Sequence, residues 1–502
     1  MSDRPSFLVF CVDQMQARCL GAAGHPDVKT PNLDKLAAEG VRFERAYCES
    51  PVCTPSRLTI MTGMSARQHG ALTNGSFLPE TIPTVCSVLR EADYRTKACG
   101  KLHLQPWNNH DRQRRKKDLP HMHSWEESAA WQSGEITSIP EGFFGFESTD
   151  FIGGHISYFW GDYANWLKEK SPEWTERLAE NHHGPVAYYY KNPEQVTPER
   201  IGDCWRSELP LEFHHNTWIT ERTVDYLDSL GEDEDFFLWC SYPDPHHPFA
   251  ASRPYSEMYD PDEITLPENW SEAAPDVGIP RKAHGLTLEQ FNETGLCEML
   301  AQTYAMITHI DDCVGQIIEK LKASGRYENT VIVFMADHGD YLGSHHMILK
   351  GKYPYEELVR VPYIWRSPAS AKSDGTSESS PVSLLDFAPT VLDYAGVDIS
   401  ALQPHPRGPV SNEVEIPWLG GASLAGRIDG EVELDERSFV IQLDETSGNR
   451  IEQGYMFRGR CFIDGRYKMT IHNRGEGQLF DLQEDPKELN NLWGDPASQF
   501  IK

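Results

Sequence analysis

The sequence has no long apolar run, no regular cysteine spacing and no excess of positive charge. Its first apolar stretch, residues 7–12, is too short for a signal-peptide core or a membrane span, so we expect a cytoplasmic protein. The eleven cysteines are scattered and odd in number, which predicts neither a disulfide framework nor a zinc site. A formal net charge of -30 makes nucleic acids and anionic membranes unfavourable partners. An anionic ligand would need local cations or a metal ion to bind.

What is present is the composition of a globular protein with a large core. The chain has 502 residues, of which 39% are hydrophobic and 11% aromatic. Three apolar runs, residues 7–12, 236–241 and 330–335, each end in polar residues, as buried parallel strands do. From residue 431 the pattern becomes short and alternating, which predicts a small antiparallel sheet. We therefore expect an α/β fold, with a large, mostly parallel mixed sheet flanked by helices and a small C-terminal antiparallel sheet subdomain.

Residues 53–57, Cys-Thr-Pro-Ser-Arg, predict a cysteine at the start of a helix. Pro55 suits the first helical turn, and the residues after it can continue the helix. Free N–H groups and the helix dipole at such an end favour negative charge near Cys53, and Arg57 adds a cation that can bind an oxyanion. The segment therefore predicts an anion site, although a buried structural cysteine would give the same local pattern.

Polar side chains follow the predicted strands at the edge where ligands gather in open α/β sheets. Asp13 follows the first strand, and Asp337 and His338 follow the third. Their carboxylates and imidazole offer oxygen and nitrogen ligands for one divalent cation. Lys101 and His103 alternate after another predicted strand, so both can point to one face. In isolation, a solvated aspartate, a surface lysine and a hydrogen-bonded histidine would explain the same residues.

Together these segments resemble the formylglycine-dependent (type I) sulfatases of the alkaline-phosphatase-like superfamily. The matching motifs are Cys-x-Pro-Ser-Arg at residues 53–57, Gly-Lys-x-His-Leu at 100–104, Pro-His-x-Pro-Phe at 245–249 and the C-terminal tail from residue 480. The resemblance spans nearly the whole chain and is weakest in residues 107–216 and 371–437. It implies that a separate formylglycine-generating enzyme converts Cys53 to 3-oxoalanine (formylglycine), whose hydrated aldehyde is the nucleophile.

The resemblance also implies roles for the site residues. The implied catalytic set is Cys53, Arg57, Lys101, His103, His246 and Lys350. The implied metal ligands are Asp13, Gln14, Asp337, His338 and the converted Cys53. Asn74 and His345 are the implied substrate-binding residues, with His345 as either a pocket wall or a supporting residue. Lys350 is preferred to Lys352 because the family lysine falls five residues after the histidine.

One divalent cation is implied. Oxygen-rich ligation favours Ca²⁺, and Mn²⁺ or Mg²⁺ are alternatives because Gln14 stands where the family usually has a second acidic ligand. In the family scheme, the lysines and the arginine of the catalytic set hold the sulfuryl oxygens and the diol. His246, with Lys350, protonates the leaving oxygen, and His103 then removes a proton from the diol.

The expected function is arylsulfatase-like hydrolysis of a sulfate monoester on a small organic or sugar molecule. A phosphonate monoester or phosphodiester hydrolase of the same superfamily is the alternative. Such relatives tend to lack the Lys-x-His pair that this chain has at Lys101 and His103. A catalytically silent protein that binds sulfated ligands is a further alternative. Residues 1–420 are predicted to form the catalytic domain, with 107–216 as a specificity insertion, and residues 421–502 an α+β subdomain. The sequence leaves open whether the chain forms a homo-oligomer.

Overall fold

Most of the chain is described by a computed structural model. The described residues are 4–80, 82–107, 124–156, 158–180, 200–201, 204–272, 286–287, 293–372, 375–399, 419–445, 457–473 and 477–498. Two parts of the predicted specificity insertion, residues 108–123 and 181–199, therefore lie outside the described residues. So do residues 401–418, which precede the predicted domain boundary, and that boundary stays a prediction.

The strands form one large sheet and several small ones. In chain order they are β1 (Ser6–Val12), β2 (Val41–Phe43), β3 (Ala46–Tyr47), β4 (Arg95–Gly100), β5 (Ser148–His155), β6 (Tyr158–Gly161), β7 (Arg200–Ile201), β8 (Cys204–Trp205), β9 (Phe236–Tyr242), β10 (Leu286–Thr287), β11 (Thr330–Ala336), β12 (Met347–Ile348), β13 (Arg360–Val361), β14 (Tyr363–Arg366), β15 (Thr376–Glu378), β16 (Val382–Ser383), β17 (Phe439–Glu445), β18 (Phe457–Ile463), β19 (Tyr467–His472) and β20 (Gly477–Asp481). The large sheet has nine strands in the order β15-β2-β14-β11-β1-β9-β4-β5-β6. Its central strands, from β11 to β5, pair in parallel, whereas β14 and β6 are antiparallel to their neighbours.

Helices flank this sheet. They are α1 (Pro31–Ala38), α2 (Cys53–Thr62), α3 (Ala66–His69), α4 (Val85–Glu91), α5 (Ser128–Ser133), α6 (Asp162–Lys170), α7 (Pro172–Glu180), α8 (His215–Ser229), α9 (Glu293–Ala323), α10 (Glu356–Val359), α11 (Phe387–Tyr394) and α12 (Ala425–Ile428). α1 and α8 pack on the long helix α9, and α2 packs with α4 and α11. None of the described helices is both long enough and apolar enough to cross a bilayer. The predicted α/β fold is confirmed.

Part of the segment 107–216 belongs to the large sheet, which its irregular sequence pattern does not indicate. Its strands β5 and β6 extend the large sheet beyond β4; its helices α5 and α6 pack on these strands, and α7 packs on α6. The strand β5 does not alternate because three exposed or half-buried polar residues, 148–150, are followed by buried Phe151, Ile152 and two glycines, 153 and 154. Such a mixed pattern carries no clear period, which is why sequence periodicity missed it.

The C-terminal strands β17 to β20 form the expected antiparallel sheet. A buried ion network joins this sheet to the rest of the protein. Lys468 Nζ on β19 lies 3.0 Å from Glu356 Oε1 and 2.9 Å from Glu488 Oε1. Burial and the neighbouring carboxylate of Glu356 raise the pKa of Glu488 to about 8, against the opposing effect of Lys468. The small sheet is thus an integral part of the structure around α10.

Gly100 lets β4 approach β9 closely at the end from which Lys101 continues. Its φ is +107°, and a Cβ placed there would overlap the carbonyl oxygen of Ser241 on β9. The backbone N–H of Lys101 donates to that same carbonyl oxygen at 2.9 Å. Glycine is therefore needed here for two reasons, its left-handed backbone conformation and the lack of a side chain.

We expect Gly100→Ala to destabilise the protein more than Gly134→Ala does. Gly134 also has a positive φ, +77°, but a Cβ there would meet nothing within 4 Å. In the control variant, the free energy of unfolding should fall only by the cost of a left-handed conformation for alanine, about 1–2 kcal/mol. Gly100→Ala should lose about 1–3 kcal/mol more through steric overlap. Urea unfolding followed by tryptophan fluorescence measures both, and equal losses would contradict the assignment.

Candidate active site

Two neighbouring parallel strands deliver acidic side chains to the same edge of the sheet. Val12 at the end of β1 stands opposite Ala336 at the end of β11, so Asp13 and Asp337 follow side by side. The backbone N–H of Gln14 donates to Asp337 Oδ1 at 3.1 Å, which fixes the two loops together. Both carboxylates are fully buried. A pair of buried carboxylates requires nearby positive charge.

Cys53, the first residue of α2, faces this edge. Its Sγ lies 3.2 Å from His338 Nε2 and 3.8 Å from Asp13 Oδ1. One ligand atom from each of Asp13, Cys53, Asp337 and His338 lies within 4.8 Å of all the others. The structure thus brings the predicted nucleophile position and three of the predicted metal ligands into one cluster.

The chemistry of these donors fits a divalent cation. His338 Nδ1 donates to the carbonyl oxygen of Gly339 at 2.9 Å, so its Nε2 lone pair is left for the cluster. The carboxylates of Asp13 and Asp337 supply hard oxygens, and Gln14 adds an amide oxygen at the same edge. Two negative charges with neutral oxygen and nitrogen donors match the ligands that Ca²⁺, Mn²⁺ or Mg²⁺ take in proteins.

Lys350 places a positive charge among the same groups. Its Nζ donates to Gln14 Oε1 at 2.9 Å and to Cys53 Sγ at 3.3 Å. It also lies 3.1 Å from His246 Nε2 and 3.3 Å from His338 Nε2. Burial alone would lower the pKa of Lys350, but Cys53 and the neighbouring carboxylates raise it. Lys350 is therefore a buried ammonium directly beside the nucleophile position.

Lys101 and Arg57 neutralise the two carboxylates. Lys101 Nζ forms an ion pair with Asp13 Oδ2, and Arg57 Nε donates to Asp337 Oδ2 at 2.7 Å. Burial would raise the pKa of the Asp13 carboxyl, but Lys101 and the other cations around it hold that pKa well below its usual range. Arg57 Nη1 is also engaged, by Ser241 Oγ at 2.9 Å. Arg57 thus mainly orients Asp337, and only its Nη2 lacks a hydrogen-bond partner among the described residues.

His103 is held by residues that the sequence patterns did not identify. Its φ is +55°, and its backbone N–H donates to Glu126 Oε2 at 2.6 Å. The other Glu126 oxygen accepts from the backbone N–H groups of Leu104 and Gln105 at 2.7 and 3.0 Å. Trp107 stacks on the His103 ring, with centroids 3.7 Å apart, and donates its indole N–H to Glu126 at 3.0 Å. Glu126 therefore fixes both the backbone and the ring plane of His103.

His246 stands at the centre of a column of three imidazoles. Its ring stacks on His155 at 3.8 Å and on His247 at 3.9 Å. His246 Nδ1 donates to the carbonyl oxygen of His247 at 2.5 Å, so its Nε2 accepts from Lys350. Burial, followed by the charges of His155 and His247, lowers the pKa of His246 well below its usual value. His246 is accordingly neutral and accepts a hydrogen bond from Lys350.

The two predicted substrate-binding residues contact other groups. Asn74 Oδ1 accepts from the backbone N–H of Thr54 at 3.0 Å, so it caps the helix that begins with Cys53. His345 stacks on Tyr355 with ring centroids 3.7 Å apart, and its Nε2 lies 3.2 Å from Asn269 Nδ2. Within the described part of the chain, His345 makes no hydrogen bond to the group around Cys53. Its position suits a supporting role for the loop that carries Lys350.

Comparison with known proteins identifies the family of the chain. A family model described as Sulfatase matches residues 5–397, which is most of the chain. The chain belongs to the sulfatase family. Among its relatives, an arylsulfatase of Clostridium perfringens is 28% identical over 97% of this chain and 90% of its own. Among solved structures, a phosphonate monoester hydrolase of Agrobacterium radiobacter superposes with a TM-score of 0.75, at 23% identity over 99% of this chain and 93% of its own.

A second solved structure is described as a complex with its substrate D-glucosamine-2-N,6-O-disulfate. It superposes with a TM-score of 0.69, at 19% identity over 99% of this chain and 95% of its own. At these identities the solved structures show a shared fold. The details of this sulfatase site therefore rest on its own residues.

We expect Glu126→Gln to slow this sulfatase by roughly 100-fold in kcat, because a displacement of about 1 Å in a reacting group has that effect. The amide would present an N–H group where Glu126 now accepts from His103 or Trp107. Glu141→Gln, which changes an exposed glutamate paired with Arg90, is the matched control. Steady-state kinetics and thermal unfolding should be measured together. A kcat equal to that of the control variant would exclude this positioning role.

Proposed function

We propose that this sulfatase hydrolyses a sulfate monoester of a small organic or sugar molecule, and that its Cys53 is converted to formylglycine for the reaction. The observation that carries the proposal is the position of Cys53 Sγ, 3.2 Å from His338 Nε2 and 3.3 Å from Lys350 Nζ. An atom of residue 53 there lies between a metal-binding group and a cation suited to a sulfuryl oxygen. The proposal includes a formylglycine-generating enzyme as a partner during maturation.

Asp13, Gln14, Asp337 and His338 would hold one divalent cation. The oxygen-rich donor set favours Ca²⁺, with Mn²⁺ or Mg²⁺ as alternatives. When bound, the metal ion supplies a Lewis acid, and the hydrated formylglycine supplies a nucleophilic hydroxyl. The buried ion pairs of Lys101 and Arg57 balance the charge of the two carboxylates and fix their orientation.

Lys350 is the proposed proton donor to the leaving oxygen. The family scheme assigns this step to His246 together with Lys350, and we propose that the two residues have different roles in it. The only His246 proton is directed at the His247 carbonyl, while Lys350 carries protons beside residue 53. His246 therefore orients Lys350 by accepting one hydrogen bond from it, and the ammonium also balances charge on a sulfuryl oxygen.

His103 is the proposed acceptor of the proton released from residue 53 when the enzyme is regenerated. Burial, followed by the charges of Lys101 and Arg57, lowers the pKa of His103 well below its usual value. The imidazole is thus neutral, which is the form that accepts a proton. Its Nδ1 is buried and has no hydrogen-bond partner among the described residues, so it remains open to a reacting group.

A phosphonate monoester or phosphodiester hydrolase remains the alternative, because a protein of that kind shares the fold with a TM-score of 0.75. The pair of Lys101 and His103 favours sulfate: the Lys101 side chain pairs with Asp13, and Glu126 holds the backbone of His103. A silent sulfate-binding protein is a weaker alternative, because every matched catalytic residue is present.

We expect protein produced together with a formylglycine-generating enzyme to release sulfate from 4-nitrophenyl sulfate. Cys53→Ala should lose this activity, because it removes the nucleophile position without adding bulk. Mass spectrometry of the peptide that contains residue 53 should detect the aldehyde in active protein. An active protein with an intact thiol would contradict the formylglycine mechanism. A higher kcat/KM for an aryl phosphonate monoester than for the sulfate ester would favour the alternative function.

We expect Lys350→Met to lower kcat by about 10²–10³-fold, which is typical for removal of one preorganised donor to a developing oxyanion. Lys352→Met is the matched control, since it removes a lysine two residues further along the same loop. The control should keep most of the activity. If Lys352→Met lost its activity and Lys350→Met kept it, the assignment of the two lysines would be reversed. The comparison is made by steady-state kinetics on 4-nitrophenyl sulfate.

A further inference from the structure

His155 comes from the segment 107–216 and reaches the active site from a side that no motif marks. The strand β5 runs parallel to β4, with Phe151 opposite Gly100. β5 then continues for four more residues to His155, roughly 13 Å at the usual rise per residue. Since Lys101 follows directly after Gly100, His155 extends beyond the end of β4 over the edge where the active site lies.

The ring of His155 is fixed against the catalytic residues. It stacks on His246 with centroids 3.8 Å apart and planes 8° apart. A ring nitrogen of His155 lies within 4.8 Å of both a carboxylate oxygen of Asp13 and a ring nitrogen of His246. The His155 imidazole is thus close to His246, which contacts the proposed acid Lys350, and to the metal-binding Asp13. No step of the reaction described above uses it.

One nitrogen of His155 is not satisfied by the protein. Its Nδ1 is buried and has no hydrogen-bond partner among the described residues. A buried polar atom without a hydrogen-bond partner is unfavourable, so such an atom in an active site points to a ligand. A substrate oxygen would supply the missing partner.

The order of contacts indicates which substrate oxygen this is. Residue 53 contacts Lys350, Lys350 contacts His246, and His246 stacks on His155. With sulfur at residue 53 and the leaving oxygen at Lys350, the next part of the substrate lies at His155. The rings of His246 and His155 lie 3.8 Å apart, so His155 is close enough to reach a substrate atom a few bonds from the leaving oxygen.

We propose that His155 hydrogen-bonds an oxygen on the carbon next to the sulfated one, and that this sulfatase prefers sulfate esters with such a vicinal oxygen, as in sugars and catechols. The inference rests on the proposed sulfate ester hydrolysis and adds the substrate class. It gives the segment 107–216 a direct part in specificity through a described residue.

The test compares two aryl sulfates that differ in a vicinal hydroxyl. 4-Nitrocatechol sulfate carries a hydroxyl next to the ester, and 4-nitrophenyl sulfate lacks it. His155→Phe keeps a flat ring for stacking on His246 and removes both nitrogens. We expect it to lower kcat/KM for the catechol ester by roughly 10–100-fold, the range for one lost hydrogen bond in a buried site. The kcat/KM for 4-nitrophenyl sulfate should change by less than about 3-fold, because this ester has no vicinal hydroxyl and loses no hydrogen bond.

Two further variants make the result specific. His155→Gln keeps an N–H donor and should retain part of the preference, and it serves if His155→Phe fails to fold. His309→Phe is the control, because His309 is a buried imidazole that stacks on Tyr255, with centroids 4.5 Å apart. The control should leave the ratio of the two kcat/KM values unchanged.

The failures of the two proposals can be told apart. Suppose that wild-type protein cleaves both esters. If His155→Phe then lowers kcat/KM equally for both esters, or for neither of them, the role of His155 is overturned while sulfate hydrolysis stands. If converted wild-type protein releases sulfate from neither ester, the proposed function fails, and the role of His155 fails with it. A selective loss with the catechol ester supports both proposals.

Discussion

Two buried ion pairs, Lys101 with Asp13 and Arg57 with Asp337, are the interactions on which the rest of the site depends. Each carboxylate lies in the interior, where an unpaired charge would be far too unfavourable to persist. Removal of either cation would leave an uncompensated buried charge, which usually destabilises a protein by about 3–5 kcal/mol. The same cations reverse the field locally in a protein with a formal net charge of -30. One arrangement therefore stabilises the core and prepares a place for an anion.

The sheet determines which side chains can share that place. Four neighbouring strands, β11, β1, β9 and β4, run in parallel and end at one edge. Asp337, Asp13, His246 and Lys101 follow them within a few residues. The remaining component, Cys53, enters from the start of α2 and closes the cluster from outside the sheet. Groups from distant parts of the sequence thus meet because parallel strands bring their following loops together.

Sequence reasoning identified the groups that follow directly after apolar strands or lie in short motifs, such as Asp13, Lys101 and Cys53. It could not identify their contacts. Glu126 supports His103 from 23 residues away, in a stretch without a period, and a glutamate of that kind has no local signal. His155 had a weak signal, since it ends a run of apolar residues and glycines, but an irregular strand is hard to separate from a loop. Arg57 likewise shows its partner only once α2 and β11 are adjacent in space.

The seclusion of residue 53 has a consequence for the order of events in biosynthesis. Its side chain is 1% exposed, so an enzyme that alters it cannot reach it in the finished protein. Any such alteration has to happen while the chain is still open. The ion network around Lys468 joins β19 to α10, which follows the loop that carries Lys350. This part of the interior is therefore complete only after Lys468 has met Glu356, 112 residues away in the sequence.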